Sequence, residues 1–350
     1  MKYAAPMLAA PMLAAPMLAA PMLAAALFAG ALFAGAAQAQ TPVLTVYTYD
    51  SFVTDYGPGP VIEKAFEAEC ACDLRLVAAG DGAALLGRLR LEGARSEADV
   101  ALGLDANLVA TAAETGLFAP HGARAQTDVP GGWDDPLFLP YDWGWFAFVY
   151  DETRLANPPT SFAALLDAPE DVTIVIQDPR TSTPGLGLLM WVKQLYGDAA
   201  ESVWARLSPR IVTVTKGWWE AYSAFLEGEA TMALSYTTSP AYHMIVEGDA
   251  TKKAALFDEG HYLQVEVAGK LKSSRNPELA DRFLAFMLSE SFQGAIATTN
   301  WMYPAVAPAA GLPEGFADLP RPARSLMVPP AAVPALRETA LKEWRDALSR

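Results

Sequence analysis

Val212-Thr-Val-Thr-Lys-Gly-Trp-Trp-Glu-Ala-Tyr222 and, shortly after it, Ala233-Leu-Ser-Tyr-Thr-Thr-Ser-Pro-Ala-Tyr242 each begin as a β-like run and break into a helix led by aromatics and hydroxyls. A β-branched run that ends in a small-residue turn delivers the residues of that turn to the mouth of a cleft between sheet and helix. The same rhythm extends in both directions. Residues 43–48, 74–77 and 100–103 read as extended, and 61–69, 83–91 and 107–114 as helical. Beyond a long aromatic extended stretch at 139–150 the rhythm resumes, with strands at 172–177, 211–215 and 232–236 and helices at 185–196 and 220–227. An extended return follows at 262–268, then an amphipathic helix at 278–288, a Pro-rich linker and a last helix running to Arg350. This alternation predicts an α/β fold of mostly parallel sheets with flanking helices. The segments divide as a first lobe over 40–140, a second over 141–270, and a return to the first with a C-terminal helix over 271–350. Two crossings between lobes make a hinge, which suits enclosure of a ligand.

Residues 1–39 hold Lys2 as their one charge, four Ala-Pro-Met-Leu-Ala units over 5–24, two Ala-Leu-Phe-Ala-Gly units over 26–35, and Ala37-Gln38-Ala39. A basic start, an apolar stretch and an A-x-A end predict a secretory signal peptide cut before Gln40, hence an exported protein. A run this long is also of membrane-spanning length; Pro6, Pro11, Pro16 and Pro21 would interrupt such a helix. No later stretch is apolar over a membrane length.

The chain carries 25 Lys and Arg against 40 Asp and Glu, a net charge of −15, which argues against nucleic acid and anionic membrane surfaces as partners. Cys70 and Cys72 are the two cysteines, and in an exported chain so close a pair reads most simply as a disulfide. The alternatives are a metal site or a nucleophile; a lone C-x-C with three histidines, His121, His243 and His261, is poor zinc material.

Three helix starts share one design: Asp81-Gly82, Thr181-Ser-Thr-Pro-Gly185 with Ser182 and Thr183, and Thr237-Thr238-Ser239-Pro240. Each alone needs nothing beyond ordinary capping. Together, their small side chains and free backbone N–H groups would suit an anion such as phosphate. The aromatics Tyr49, Tyr56, Trp218, Trp219, Tyr222, Tyr236, Tyr242 and Trp301 form a second set; most rings in such a chain are core, but Trp218, Tyr236 and Tyr242 sit in strand-end turns or first helical turns, where a flat cation could stack. Among the carboxylates Asp50, Asp55, Asp105, Asp142, Asp178, Glu220 and Glu266 no spacing marks an acid–base pair, so surface and capping roles are expected. Ser51, Ser182, Ser235 and Ser239 lack a nucleophile elbow, and Gly57-Pro-Gly59 and Gly185-Leu-Gly187 are neither a dinucleotide fingerprint nor a phosphate loop.

Seven stretches carry a resemblance: Val43-Leu-Thr-Val-Tyr-Thr-Tyr-Asp-Ser-Phe52, Asp55-Tyr-Gly-Pro-Gly-Pro60, Gln177-Asp-Pro-Arg-Thr-Ser-Thr-Pro-Gly-Leu-Gly187, Thr213-Val-Thr-Lys-Gly-Trp218, Leu234-Ser-Tyr-Thr-Thr-Ser-Pro-Ala-Tyr242, Glu259-Gly-His-Tyr-Leu-Gln-Val-Glu266 and Asn300-Trp-Met-Tyr-Pro304. With them, nearly the whole chain after residue 40 resembles the periplasmic thiamine-binding proteins of bacterial ABC importers. The resemblance implies a type II periplasmic-binding fold with the ligand between two α/β lobes, and no enzymatic activity. It implies that Tyr49, Trp218, Tyr236 and Tyr242 surround the pyrimidine and thiazolium rings; Trp301 of the aromatic set is a further candidate for ligand binding. Asp81-Gly82, Ser182-Thr183 and Ser239 with Thr237 and Thr238 would hold the polar end, phosphates included. It also implies delivery to a membrane permease driven by an ATPase; a monomer is expected, with no cofactor or metal. Two positions depart from the family pattern: Tyr56 stands where Trp is expected, and Trp219 is an added ring. Two other readings compete. A thiaminase-like enzyme would need a free thiol at the cleft, and a ferric-iron-binding protein of the same fold could use Tyr236 with Tyr242.

Overall fold

The computed structural model describes residues 41–349 apart from Ala125 and Ala317. The signal-peptide segment lies outside the described residues.

The strands are β1 Val43–Thr48, β2 Asp73–Ala78, β3 Val100–Asp105, β4 Phe118–Ala119, β5 Phe138–Asp151, β6 Ile174–Gln177, β7 Ile211–Thr215, β8 Met232–Tyr236, β9 Lys252–Ala255, β10 His261–Leu271, β11 Tyr303–Pro304 and β12 Ser325–Leu326. The helices are α1 Gly59–Cys70, α2 Gly82–Glu92, α3 Val109–Glu114, α4 Phe162–Leu166, α5 Thr183–Tyr196, α6 Ala200–Leu207, α7 Trp218–Glu227, α8 Pro240–Tyr242, α9 Pro277–Phe286, α10 Glu290–Ala295 and α11 Val333–Leu348. No described helix is long and apolar enough to cross a membrane.

The main sheet runs in the order β2-β1-β3-β10-β5-β8-β6-β7. Its two flanks are parallel, as the βα rhythm predicts: β1 pairs β2 and β3, and β6 pairs β7 and β8. The sheet as a whole is mixed, because the long strands β5 and β10 enter antiparallel to their neighbours. β5 is the long aromatic extended stretch beyond which the rhythm resumes. Its residues 138–145 pair with β10, and its residues 146–150 then pair with β8, so one strand belongs to both flanks. All of β10 is buried, and it carries the chain back. Helices α9 and α10 then pack against α1, whereas α11 lies on α5 and α6. There Lys193 Nζ meets Glu343 Oε1 at 2.7 Å, both largely buried.

Local chemistry accounts for the elements that frame the site. Helix α5 is apolar around its circumference, with every residue from Thr183 to Lys193 buried, so it is a central helix and not a surface one. Helix α9 buries Leu279, Ala280, Phe283 and Leu284, the one-sided stripe of an amphipathic helix. Gly103 on β3 has φ of +104°, and a Cβ there would lie 2.3 Å from Cδ1 of Tyr49, so only glycine lets that ring lie flat against the strand. Cys70 ends α1, Ala71 turns the chain through the left-handed region at φ of 53°, and Cys72 follows with its Cα 5.2 Å from that of Cys70 and the sulfurs at bonding distance.

Candidate functional site

A cavity of about 250 Å³ opens between the two flanks. It gathers Tyr49, Asp81, Gly82, Thr183, Trp218, Tyr236, Ser239, Tyr242 and Trp301, nine of the positions singled out from the sequence. Ser182, Thr237 and Thr238 do not line it. Each is buried behind the wall: Ser182 Oγ donates to Asp81 Oδ2 at 2.7 Å, Thr237 gives its backbone N–H to the carbonyl of Trp145, and Thr238 Oγ1 faces Met302 Sδ.

Asp81 is the knot of the site. Its Oδ2 accepts from Ser182 Oγ and, at 3.0 Å, from the backbone N–H of Trp218. The starts of α2, α5 and α7 therefore meet at one carboxylate. The capping expected of Asp81, Ser182 and Ser239 takes a different form: none of the three side chains bonds its own helix, and Asp81 caps α7 instead. Burial pushes its carboxyl up to about 6. The third foreseen start, at Ser239, opens a helix of a single turn that passes into a π-helical turn over His243–Glu247. Ser239 Oγ instead joins Ser235 Oγ at 2.7 Å, and Ser235 Oγ accepts from Trp218 Nε1 at 2.7 Å.

That chain orients the Trp218 ring, which stacks on Tyr222 with centroids 5.0 Å apart and planes 20° apart. Tyr222 is held in turn, its hydroxyl 2.9 Å from His243 Nε2, while His243 Nδ1 meets Glu247 Oε2 at 2.6 Å. Opposite, Tyr242 packs edge-on against Trp301 at 5.5 Å. Trp301 follows a π-helical turn, Ile296–Asn300, and sits at φ of 57°, a conformation that costs a bulky residue on the order of 1 kcal/mol. At the rim, Tyr56 and Trp219 stack on each other at 5.1 Å while 54% and 44% exposed, so the two departures from the family pattern form one contact.

The floor is acidic and buried, which overturns the expected surface role of Asp142 and Glu266. Glu266 Oε2 accepts from Tyr141 Oη at 2.7 Å and lies 3.2 Å from Tyr49 Oη, and Asp142 Oδ2 accepts from Asn300 Nδ2 at 2.6 Å. Burial raises both: Glu266 to about 7, and Asp142 well above the usual carboxylate range, with the neighbouring Glu266 charge adding to it. Asp105 is also interior, raised by burial to about 7 and accepting from the backbone of Asn107. Asp178 and Asp50 each accept one backbone N–H, from Arg180 in a turn and from Gly80 in a loop, neither donor lying in a helix. His261 is neutral and structural. It accepts from Phe257 N through Nε2 and bonds the Phe146 carbonyl through Nδ1, and burial lowers it to about 4. Neither cysteine lines the cavity, and among the described residues no three His, Cys, Asp or Glu side chains gather as a metal set.

The lining also includes Ser51, Pro184, Leu226, Gln264, Thr299 and Met302, which sequence reasoning did not select. Thr299, Asn300 and Met302 flank Trp301, and that adjacency was the signal available for them.

The profile of the bacterial extracellular solute-binding proteins matches residues 96–316. The thiamine-binding periplasmic protein of Escherichia coli (strain K12) is 56% identical over 310 residues, 88% of this chain and 94% of its own length. Its counterpart in Brucella melitensis biotype 1 is 50% identical over 308 residues, 88% of this chain and 92% of its own. Among solved structures, a periplasmic thiamin binding protein aligns with a TM-score of 0.87 at 55% identity, covering 89% of this chain and 97% of that one.

Proposed function

This chain belongs to the bacterial extracellular solute-binding proteins and, among them, to the periplasmic thiamine-binding proteins, and we propose that its cavity captures thiamine, thiamine monophosphate and thiamine diphosphate for delivery to the permease and ATPase subunits of an ABC importer. It is a periplasmic solute-binding component of a transport system, and its relatives are named as binding proteins, not enzymes. In this reading the flanks either side of β5 and β10 act as two lobes, divided at residues 140/141 and 270/271, and the protein works as a monomer.

The observation that carries the proposal is the character of the lining. Among the described residues it offers aromatic faces and the carboxyls of Asp81, Glu247 and Glu266, with no lysine, arginine or histidine. Such a surface favours a flat organic cation. Each ring gains about 0.5 to 2 kcal/mol against a stacked cation, whereas nanomolar capture needs about −12 kcal/mol, so enclosure and polar contacts supply the remainder. We assign Tyr49, Trp218, Tyr236, Tyr242 and Trp301 to the pyrimidine and thiazolium rings. With no cationic side chain in the lining, phosphate would rest on the first backbone N–H groups of α2 and α5, at Gly82 and Thr183, with Ser239 beside them. Ser182, Thr237 and Thr238 support these contacts from behind.

The test is tryptophan fluorescence of protein purified from periplasmic extract, titrated with thiamine, its two phosphates and ferric citrate. Saturable quenching by the thiamine compounds, with the ligand recovered unchanged, is expected. A folded sample silent to all of them, or responding to iron alone, would sink the proposal.

A further inference from the structure

Two cavity-facing side chains on β10 have no part in the ring platform. Gln264 and Glu266 are two residues apart, so strand alternation sets them on one face, with Leu263, Val265 and Val267 turned into the core. Gln264 is 1% exposed, and neither its Nε2 nor its Oε1 has a hydrogen-bond partner among the described residues. Its cross-strand neighbour on β5 is Gly144, which offers no side chain. Other buried amides are tied to the fold by at least one end: Gln293 donates to the carbonyls of Tyr141 and Met287 and accepts from Val306 N, and Gln177 donates to the carbonyl of Leu234 while its Oε1 has no partner among the described residues. A buried carboxamide with donor and acceptor both unmet is costly, and a native structure keeps one where something else completes it.

The missing partner must present an acceptor and a donor side by side. A thiazolium ring has no such edge, and a phosphate offers acceptors. The ring nitrogen and exocyclic amine of an aminopyrimidine match, taking a carboxamide through two parallel hydrogen bonds. We infer that Gln264 reads the aminopyrimidine edge of the bound ligand and is a specificity-determining residue of this cavity. The inference rests on the thiamine reading above.

The experiment compares thiamine with 3-benzyl-5-(2-hydroxyethyl)-4-methylthiazolium, which keeps the cationic ring and replaces the aminopyrimidine by benzene. Both are titrated calorimetrically into wild type and Gln264→Leu, a change that preserves volume and removes hydrogen bonding. Wild type should prefer thiamine by on the order of ten- to a hundredfold, the cost of leaving a buried amide unpaired. In Gln264→Leu that preference should collapse towards unity, with the benzyl compound binding at least as tightly as to wild type. A preference that survives in the variant overturns the inference and leaves thiamine binding standing. Joint loss of both ligands in the variant makes Gln264 a purely structural residue and also overturns it. A folded wild type that binds neither compound removes the thiamine reading itself, a result separate from the other two.

Discussion

Trp218→Ala removes a firmly held ring of the cavity. Its backbone N–H is bound by Asp81, its indole N–H by Ser235, and one face lies on Tyr222 at 5.0 Å. A ring fixed on three sides has little rotamer freedom left to lose on binding, so its contact energy appears nearly undiminished in affinity. One open face offers about 0.5 to 2 kcal/mol to a stacked cation. Covering about 60 Å² of apolar ring adds roughly 1.5 kcal/mol. Together these predict that the alanine variant binds thiamine about 30- to 300-fold more weakly. Trp218→Phe keeps a stacking face and gives up only the bond to Ser235, whose oxygen still has Ser239 at 2.7 Å, and should remain within about tenfold of wild type. Isothermal titration calorimetry reads both, with thermal melting as the check on folding. An alanine variant that melts normally and binds within about threefold of wild type would refute the platform argument.

Asp81→Asn keeps an oxygen able to accept from both Ser182 and Trp218 while removing a charge that is ionised above about pH 6. At pH 7.5 the ratio of monophosphate to thiamine affinity should rise about tenfold, and a constant ratio would place the phosphate elsewhere. Gly103→Ala forces a Cβ to within 2.3 Å of the Tyr49 ring at a backbone φ of +104°; a loss of about 2 to 4 kcal/mol in urea unfolding is expected, and near-wild-type stability would contradict the packing described. Glu266 has its carboxyl raised to about 7 by burial, beside Asp142, which is raised too, and near Asp105, also at about 7. A raised carboxyl stabilises the fold below its ordinary range, and that contribution is lost as pH climbs through about 7. Ligand-free melting temperature should therefore fall between pH 5 and pH 8, less steeply in Glu266→Gln. A bound cation favours the ionised carboxylate, so thiamine binding at pH 7 should release protons, detectable as buffer-dependent binding enthalpy and smaller in the variant.

The parallel flanks were readable because β-branched runs such as Ile211–Thr215 are bounded by turn residues and followed by helical periodicity. The antiparallel core was not. Alternation shows that 139–150 is extended, but nothing local tells whether its neighbour runs with it or against it, and β5 changes neighbour midway at Trp145 and Phe146. Helix starts behaved similarly. Asp81 is recognisable as a capping residue by type and position, yet the helix it caps begins 137 residues further on.

The same physics separates the ring residues from the floor. Trp218, Tyr236 and Tyr242 could be picked out because a ring at a strand end or in a first helical turn has few places to go except the mouth of a cleft. Gln264 and Glu266 stand at alternate positions of Tyr262-Leu-Gln-Val-Glu-Val-Ala268, which is how a half-solvated strand is written. What converts that polar face into a binding surface is the wall opposite, supplied by Tyr49 from β1's end, Asn300 from the end of the π-helical turn and Met302 just before β11. Burial of a polar strand face is a property of two distant segments together, and so is the rise in the carboxyl of Glu266. The residues proposed to tell one cation from another are therefore the ones whose local sequence looks most ordinary, and they become visible only when an unpaired donor and acceptor, such as those of Gln264, are found with no partner among the described residues.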